Sequence, residues 1–168
     1  MKNSGYAIGM LLVLAAAGAR AENVIWTGVL DAAPTSGTST ITWTTYERAD
    51  RTRAPWKLWM LDWASNSDGI YQVTTDQIQG RLAWLVTNPD DGATSPTDNY
   101  DITILSNGID LLGGAGLNRD EANNEFLYVF GPGSGNVGHP LLIGDIEFNI
   151  ENAGDERGGV ILLGLEEE

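Results

Sequence analysis

Short runs rich in β-branched and aromatic residues alternate along most of the chain with clusters of Gly, Pro, Asn and Asp. Clusters such as Asn66–Gly69 and Asn88–Gly92 supply the preset or positive φ angles that tight turns need. We predict strands at Asn23–Leu30, Ser39–Glu47, Trp56–Trp63, Ile70–Thr74, Arg81–Thr87, Asn99–Ser106, Phe126–Phe130, Leu142–Ile150 and Gly159–Leu165. This pattern predicts an all-β fold, a β-sandwich or jelly roll of about eight or nine strands.

Period-2 alternation is clear in several of these runs. Ile102 and Ile104 share one face of a strand, whereas Asp101 and Thr103 take the other, and Ile146–Ile150 alternates in the same way. Such alternation is typical of antiparallel strands with one buried face and one solvated face.

One segment carries helix signals instead. Asn118–Glu125 offers Asn118 as a cap, with Asp120 and Glu121 in the first turn, where acidic side chains suit the helix dipole. We therefore predict a single short helix there.

The run Trp56–Trp63 permits two interpretations. Trp56, Trp59, Met60 and Trp63 fall at helical spacing after Pro55, which could begin a helix. In a strand, Trp59, Leu61 and Trp63 would share one face. The run is short and flanked by turn residues, which favours the strand.

The first residues have the layout of a secretory signal. Met1–Ala21 contains Lys2, an apolar run over Ala7–Ala19 and a small-x-small site at its end. We expect cleavage after Ala21, export to the periplasm, cell surface or medium, and one β-sandwich domain over residues 22–168, without a further run of membrane length. An uncleaved interfacial anchor or packing helix is the alternative.

The charge balance narrows the classes of partner. The 168 residues include 23 Asp and Glu against nine Lys and Arg, which gives a net charge of −14, and there is no cysteine. Nucleic-acid binding needs clustered Lys and Arg, so we expect no nucleic-acid partner. Disulfides and thiolate chemistry are excluded.

Candidate catalytic patterns are weak. The stretch Gly133–Gly138 matches the dinucleotide-binding form, but His139-Pro140 follows it where a helix should begin. His139 is the chain's one histidine, it sits in a Gly-rich loop, and no nucleophile-elbow pattern accompanies it. Pairs of carboxylates arise by chance in so acidic a chain, so we predict no enzyme and no catalytic residue.

Four aspartates are candidate calcium ligands. Asp90, Asp91, Asp98 and Asp101 lie in or beside turns, and calcium prefers oxygen ligands in flexible loops. No EF-hand spacing accompanies them, and turn formation by Asp accounts for the same residues without an ion. Calcium is therefore the one cofactor that we consider.

Six tryptophans are many for a domain of this size. Packing in the core explains them most simply, because each ring buries a large area. Within Trp56–Trp63, however, not every ring can face inward from one strand. We therefore predict an interface at Trp56, Trp59 and Trp63.

Part of the chain resembles a family of small, β-rich proteins from tailed-phage and prophage structural gene clusters. The resemblance spans about Trp56 to Leu165. Its most distinctive residues run Ser-Pro-Thr-Asp-Asn-Tyr-Asp-Ile-Thr over Ser95–Thr103, and it also includes Asp62–Gly69, Thr87–Pro89, Gly108–Leu112, Gly114–Arg119 and Gly158–Leu162.

This resemblance implies a virion or head-associated component that has no catalytic residues to carry over. A virion protein assembles without export, so the apparent signal segment departs from that setting. We expect a non-enzymatic structural or interaction protein that self-assembles or decorates a larger particle or an extracellular polymer. A secreted carbohydrate- or calcium-binding module is the alternative.

Overall fold

The computed structural model describes residues 22–30, 32–48, 56–129 and 138–166. In these ranges the backbone forms eleven strands and a 3₁₀ turn at Gly92–Thr94. The strands are β1 (Glu22–Leu30), β2 (Thr38–Arg48), β3 (Trp56–Ala64), β4 (Tyr71–Thr75), β5 (Gly80–Pro89), β6 (Asp101–Ser106), β7 (Ile109–Asp110), β8 (Glu125–Tyr128), β9 (Leu141–Leu142), β10 (Ile146–Glu151) and β11 (Gly158–Glu166). The all-β prediction is confirmed, and each of the nine predicted segments contains a strand.

The strands form two antiparallel sheets that pack as a β-sandwich. Sheet A has the order β1-β2-β3-β11-β5-β8, and β9 also pairs with β5. Sheet B has the order β4-β10-β6-β7. The last strand, β11, lies in the middle of sheet A, where it pairs with β3 on one side and β5 on the other.

Alternating side chains of both sheets meet in one buried core. From sheet B, Ile102, Ile104, Phe148 and Ile150 are almost fully buried, as period-2 alternation predicts. Trp63 of sheet A spans the interior: its ring centroid lies 6.3 Å from that of Tyr71 and 5.9 Å from that of Tyr100. Aromatic contacts of this kind join the two sheets.

The segment Trp56–Trp63 is a strand, so the helical alternative is wrong. Trp59, Leu61 and Trp63 share the inner face, as the strand interpretation requires, and all three are buried. The intervening residues of β3 point outward from sheet A. This alternation decides which tryptophans can meet a partner.

The predicted helix at Asn118–Glu125 is wrong. The backbone there forms bends, and Arg119 pairs with Tyr100 in an isolated β-bridge. The Asp120 carboxylate accepts the backbone N–H groups of Ala122 and Asn123 at 2.7 and 2.8 Å. Short polar side chains can thus satisfy nearby backbone groups in a turn and compete with helix formation.

The predicted strand Leu142–Ile150 is divided in two. Gly144 has a φ of +74°, which interrupts the extended backbone between β9 and β10. The predicted signal segment Met1–Ala21 lies outside the described residues. Among the residues that are described, no helix has the length and apolar character to cross a membrane.

Candidate functional site

The outer face of sheet A is predominantly apolar. Outward-pointing side chains on the neighbouring strands β3, β11, β5 and β8 lie side by side in the sheet register. These side chains, all partly or largely exposed, are Trp56, Leu58, Met60, Val160, Leu162, Trp84, Val86, Phe126 and Tyr128. We name this surface the outer A face. Contiguous exposed apolar surface of this kind marks contact sites in soluble proteins.

Four aromatic rings form a continuous series across this face. The centroids of Trp56 and Trp84 are 6.5 Å apart, those of Trp84 and Phe126 are 5.7 Å apart, and those of Phe126 and Tyr128 are 4.8 Å apart. Phe126 is 54% exposed and Tyr128 is 68% exposed. Phe126 and Tyr128 of β8 therefore present apolar surface to solvent at that side of the face, whereas Trp56 and Trp84 are half-buried.

A glycine on the central strand makes room for the series. Gly164 of β11 pairs with Trp84 of β5, and a Cβ atom at position 164 would overlap the indole ring. Trp84 thus lies directly over the backbone of β11. A large cross-strand ring over a glycine covers the bare backbone and fixes the ring's position.

The other side of the outer A face carries shorter side chains. In register with the rings lie Leu162 of β11, Met60 and Leu58 of β3, and then Thr42 and Thr44 of β2. All five are partly exposed. Along these two rows, side-chain size therefore decreases from the aromatic rings on β8 to the threonines on β2.

Acidic groups stand at the margins of this face. Asp62 and Glu166 each lie one register row beyond the central apolar rows. Burial raises the pKa of the Asp62 carboxyl above its ordinary value, and the nearby Asp90 carboxylate raises it further. Partial desolvation likewise raises the pKa of Asp90, although its side chain is largely exposed. Partial loss of hydration disfavours the charged form of both groups, and a neighbouring carboxylate adds to the effect in each case.

The interface predicted at Trp56, Trp59 and Trp63 needs correction. Trp56 lies on the outer A face and contacts Trp84. Trp59 and Trp63, at 4% and 2% exposed, pack in the core because the period-2 geometry of β3 turns them inward. They offer no surface to a partner of the folded domain.

Sequence reasoning missed three of the four rings. Trp84, Phe126 and Tyr128 come from strands whose inward residues, such as Leu85 and Leu127, are also apolar. The available signal was a strand with large apolar residues at successive positions. A strand whose outer face is solvated would carry polar residues at every second position. The sequence could not show that these strands are neighbours.

The four candidate calcium ligands do not converge. Asp101 accepts the backbone N–H of Asn118 at 2.9 Å and the Nδ2–H of Asn152 at 2.8 Å, so it ties two loops to β6. Asp90, Asp91 and Asp98 are exposed in the segments around the 3₁₀ turn. Within the described ranges, no three acidic or histidine side chains are grouped to hold a metal ion.

His139 contacts the backbone just after β8. Its Nδ1 lies 2.8 Å from the carbonyl oxygen of Val129, and the ring is half-buried. The stretch Gly133–Gly138 lies mostly outside the described residues, and the strand β9 follows it soon after Pro140. A dinucleotide site would require a helix at that point.

Comparisons of the chain with family models, curated proteins and solved structures find no match.

Proposed function

We propose that the chain is a non-enzymatic structural or interaction protein that uses the outer A face to self-assemble or to decorate a larger particle or extracellular polymer. The observation that carries the proposal is the series of rings from Trp56 to Tyr128, which continues into an aliphatic surface. Exposing this apolar area to water is unfavourable by about 25 cal/mol per Å². Contact with another macromolecule removes that cost.

The setting of the proposal comes from the resemblance to phage and prophage structural proteins. The motif Ser95–Thr103 that carries it forms a hydrogen-bonded loop around Asp101 at one end of the sandwich. That role fits a rigid scaffold, which suits a component of a particle. Export and a virion location remain alternative settings for the same contact surface.

Fractionation of the native source tests this proposal. Wild-type protein should sediment with a particle or polymer fraction, whereas Leu162→Ser or Phe126→Ser should shift most of it to the soluble fraction. Leu105→Ser, which makes the same change on the outer face of sheet B, is the matched control and should behave as wild type. Equal sedimentation of all four proteins as free monomers would overturn the proposal.

The carbohydrate- or calcium-binding alternative has less support. Stacking on sugar rings favours open aromatic faces, but Trp56 and Trp84 are inclined at 55° and Trp84 lies against Gly164 and Phe126. A glycan array and titration with calcium would detect such a module. Saturable binding that Tyr128→Ala removes would favour the sugar-binding alternative over assembly.

A further inference from the structure

We infer that Asn107, at the tip of the hairpin between β6 and β7, is a site of spontaneous deamidation. Asparagine is among the chemically labile residues of proteins. In this reaction the backbone nitrogen of Gly108 attacks the side-chain Cγ of Asn107 and forms a C–N bond. The N–H proton of Gly108 leaves with the side-chain NH₂ group as ammonia. Water then opens the succinimide ring to an aspartyl or an isoaspartyl residue, so the reaction consumes water alone.

The turn exposes both reacting groups to solvent. Ser106 pairs with Ile109, so Asn107 and Gly108 alone form the loop, with φ angles of +50° and +77°. Positive φ at both loop residues is typical of a type I′ turn, for which Asn-Gly is a favoured pair. Both residues are exposed, and beyond the two chain neighbours no atom lies within 4 Å of the position that a Cβ would take at residue 108. The nitrogen of Gly108 is therefore sterically accessible.

Hydrogen bonding distinguishes Asn107 from Asn152, which also has a positive φ, of 59°. The next residue, Ala153, donates its N–H to the carbonyl oxygen of Gly69 at 3.1 Å, and Asn152 donates its side-chain amide to Asp101 at 2.8 Å. In the described part of the chain, neither the Asn107 side chain nor the N–H of the residue after it makes such a bond. The attacking and leaving groups are therefore free at the hairpin tip.

The pairing that holds the turn closed is short. Ring closure requires rotation about the Asn107 backbone, which the closed turn restricts. The strand β7 contains just Ile109 and Asp110, and Ile109 is 58% exposed. Local opening of so short a pairing costs less than global unfolding. We therefore expect deamidation in the native protein, through transient opening of the hairpin.

The product changes the charge and the backbone at the tip. Either product adds a carboxylate to a chain whose net charge is already −14. The isoaspartyl product also inserts the side-chain carbon of residue 107 into the backbone. Because loop length sets the register of a hairpin, the longer loop should disrupt the pairing of Ser106 with Ile109.

The test is incubation of the purified full chain in a mildly alkaline buffer, followed by peptide mass spectrometry and an enzymatic assay for isoaspartate. Wild type should accumulate at residue 107 the mass gain of an amide converted to an acid, together with isoaspartate. Gly108→Ala should slow this accumulation severalfold, because the added methyl group hinders attack by the backbone nitrogen.

Ser67→Gly is the matched control, because it separates the effect of structure from that of the dipeptide. Asn107-Gly108 is the one Asn-Gly pair in the sequence, and the variant creates another at an exposed turn. There, however, the Asn66 Oδ1 accepts the N–H groups of Asp68 and Ile70 at 2.9 and 3.0 Å. In the folded variant Asn66 should react severalfold more slowly than Asn107, and in urea the two rates should become similar.

Circular dichroism checks the fold of each variant, and Ala153→Gly replaces Ser67→Gly if that variant does not fold. An Asn107 that stays unmodified in wild type after prolonged incubation would overturn the inference. Equal rates at Asn66 and Asn107 in the folded variant would also overturn it, because the dipeptide alone would then set the rate.

Discussion

The outer faces of the two sheets differ, although the same antiparallel geometry builds both. On sheet B, Glu147 accepts hydrogen bonds from Gln72 at 2.8 Å and from Asn149 at 2.7 Å, so polar side chains cover neighbouring strands. On sheet A, the equivalent outward positions of β11 are Val160 and Leu162. Sheet B thus completes its outer surface with polar contacts of its own, whereas sheet A presents an apolar one.

The difference indicates what each face contributes. Polar residues on sheet B bond to one another and to loops, which stabilises the isolated domain. Apolar residues at outward positions of sheet A add little to the isolated domain, since water still reaches them. Their benefit comes when another surface covers them, which is why the outer A face is the candidate for contact.

The largest expected difference in stability is between removing an inward ring and removing an outward ring of β3. Trp63→Ala removes the ring that contacts Tyr71 and Tyr100 and should lower the free energy of unfolding by about 3–5 kcal/mol. Trp56→Ala, on the outer A face, should cost no more than about 1 kcal/mol. Urea denaturation measures both. Equal losses would show that Trp56 also serves the fold.

The next effect concerns the glycine beneath the series of rings. Gly164→Val should displace Trp84 and destabilise the fold by about 1–3 kcal/mol, because the added atoms overlap the indole. Adding Trp84→Ala to Gly164→Val should recover part of the loss, since the overlap is then removed. A double-mutant cycle measures this coupling. Strictly additive losses would contradict direct packing of Trp84 on Gly164.

A smaller loss of stability is expected when the hydrogen bonds that Asp101 accepts on sheet B are removed. Asp101→Ala removes the acceptor of the bonds from Asn118 and Asn152 and should lower the free energy of unfolding by about 1–2 kcal/mol. Asp98→Ala, an exposed aspartate in the same motif, is the control and should change stability by less than about 0.5 kcal/mol. Thermal unfolding compares them, and a larger loss for Asp98→Ala would assign the motif a different role.

The smallest expected change in stability concerns Asp62, at the margin of the outer A face. The pKa of Asp62 is raised in the folded state, so its ionised form opposes folding once the pH rises above its unfolded pKa of about 4. Asp62→Asn should therefore raise the Tm slightly at neutral pH. At a pH below that unfolded value, Asp62 is protonated in both states, and the gain should disappear. A Tm gain independent of pH would point to a cause other than ionisation.

The strands can be predicted from the sequence because period-2 alternation and turn residues are local signals. The alternation alone assigns Ile102, Ile104 and Phe148 to a buried face, and all three lie in the core. Local signals failed at Asn118–Glu125, where Asp120 binds nearby backbone groups and Arg119 pairs with Tyr100, a contact that helix propensities do not include. Tertiary pairing decided the conformation of that segment.

The candidate site was less accessible to sequence reasoning than the fold. Trp56 and Trp84 meet only because β11 pairs with both β3 and β5, and Phe126 joins them because β8 pairs with β5. The fit of Trp84 over Gly164 depends on register, which the sequence does not state. The tryptophan count pointed toward a contact surface but assigned Trp59 and Trp63 to it, and both are core residues.

Site-specific photocrosslinking tests the central claim most directly. A benzophenone side chain at position 126 lies on the outer A face, and one at position 103 lies on the outer face of sheet B. We predict that irradiation in the native source yields a discrete crosslinked product from position 126 and none from position 103. Products from position 103 alone, or from neither position, would contradict the assignment of the outer A face as the contact surface.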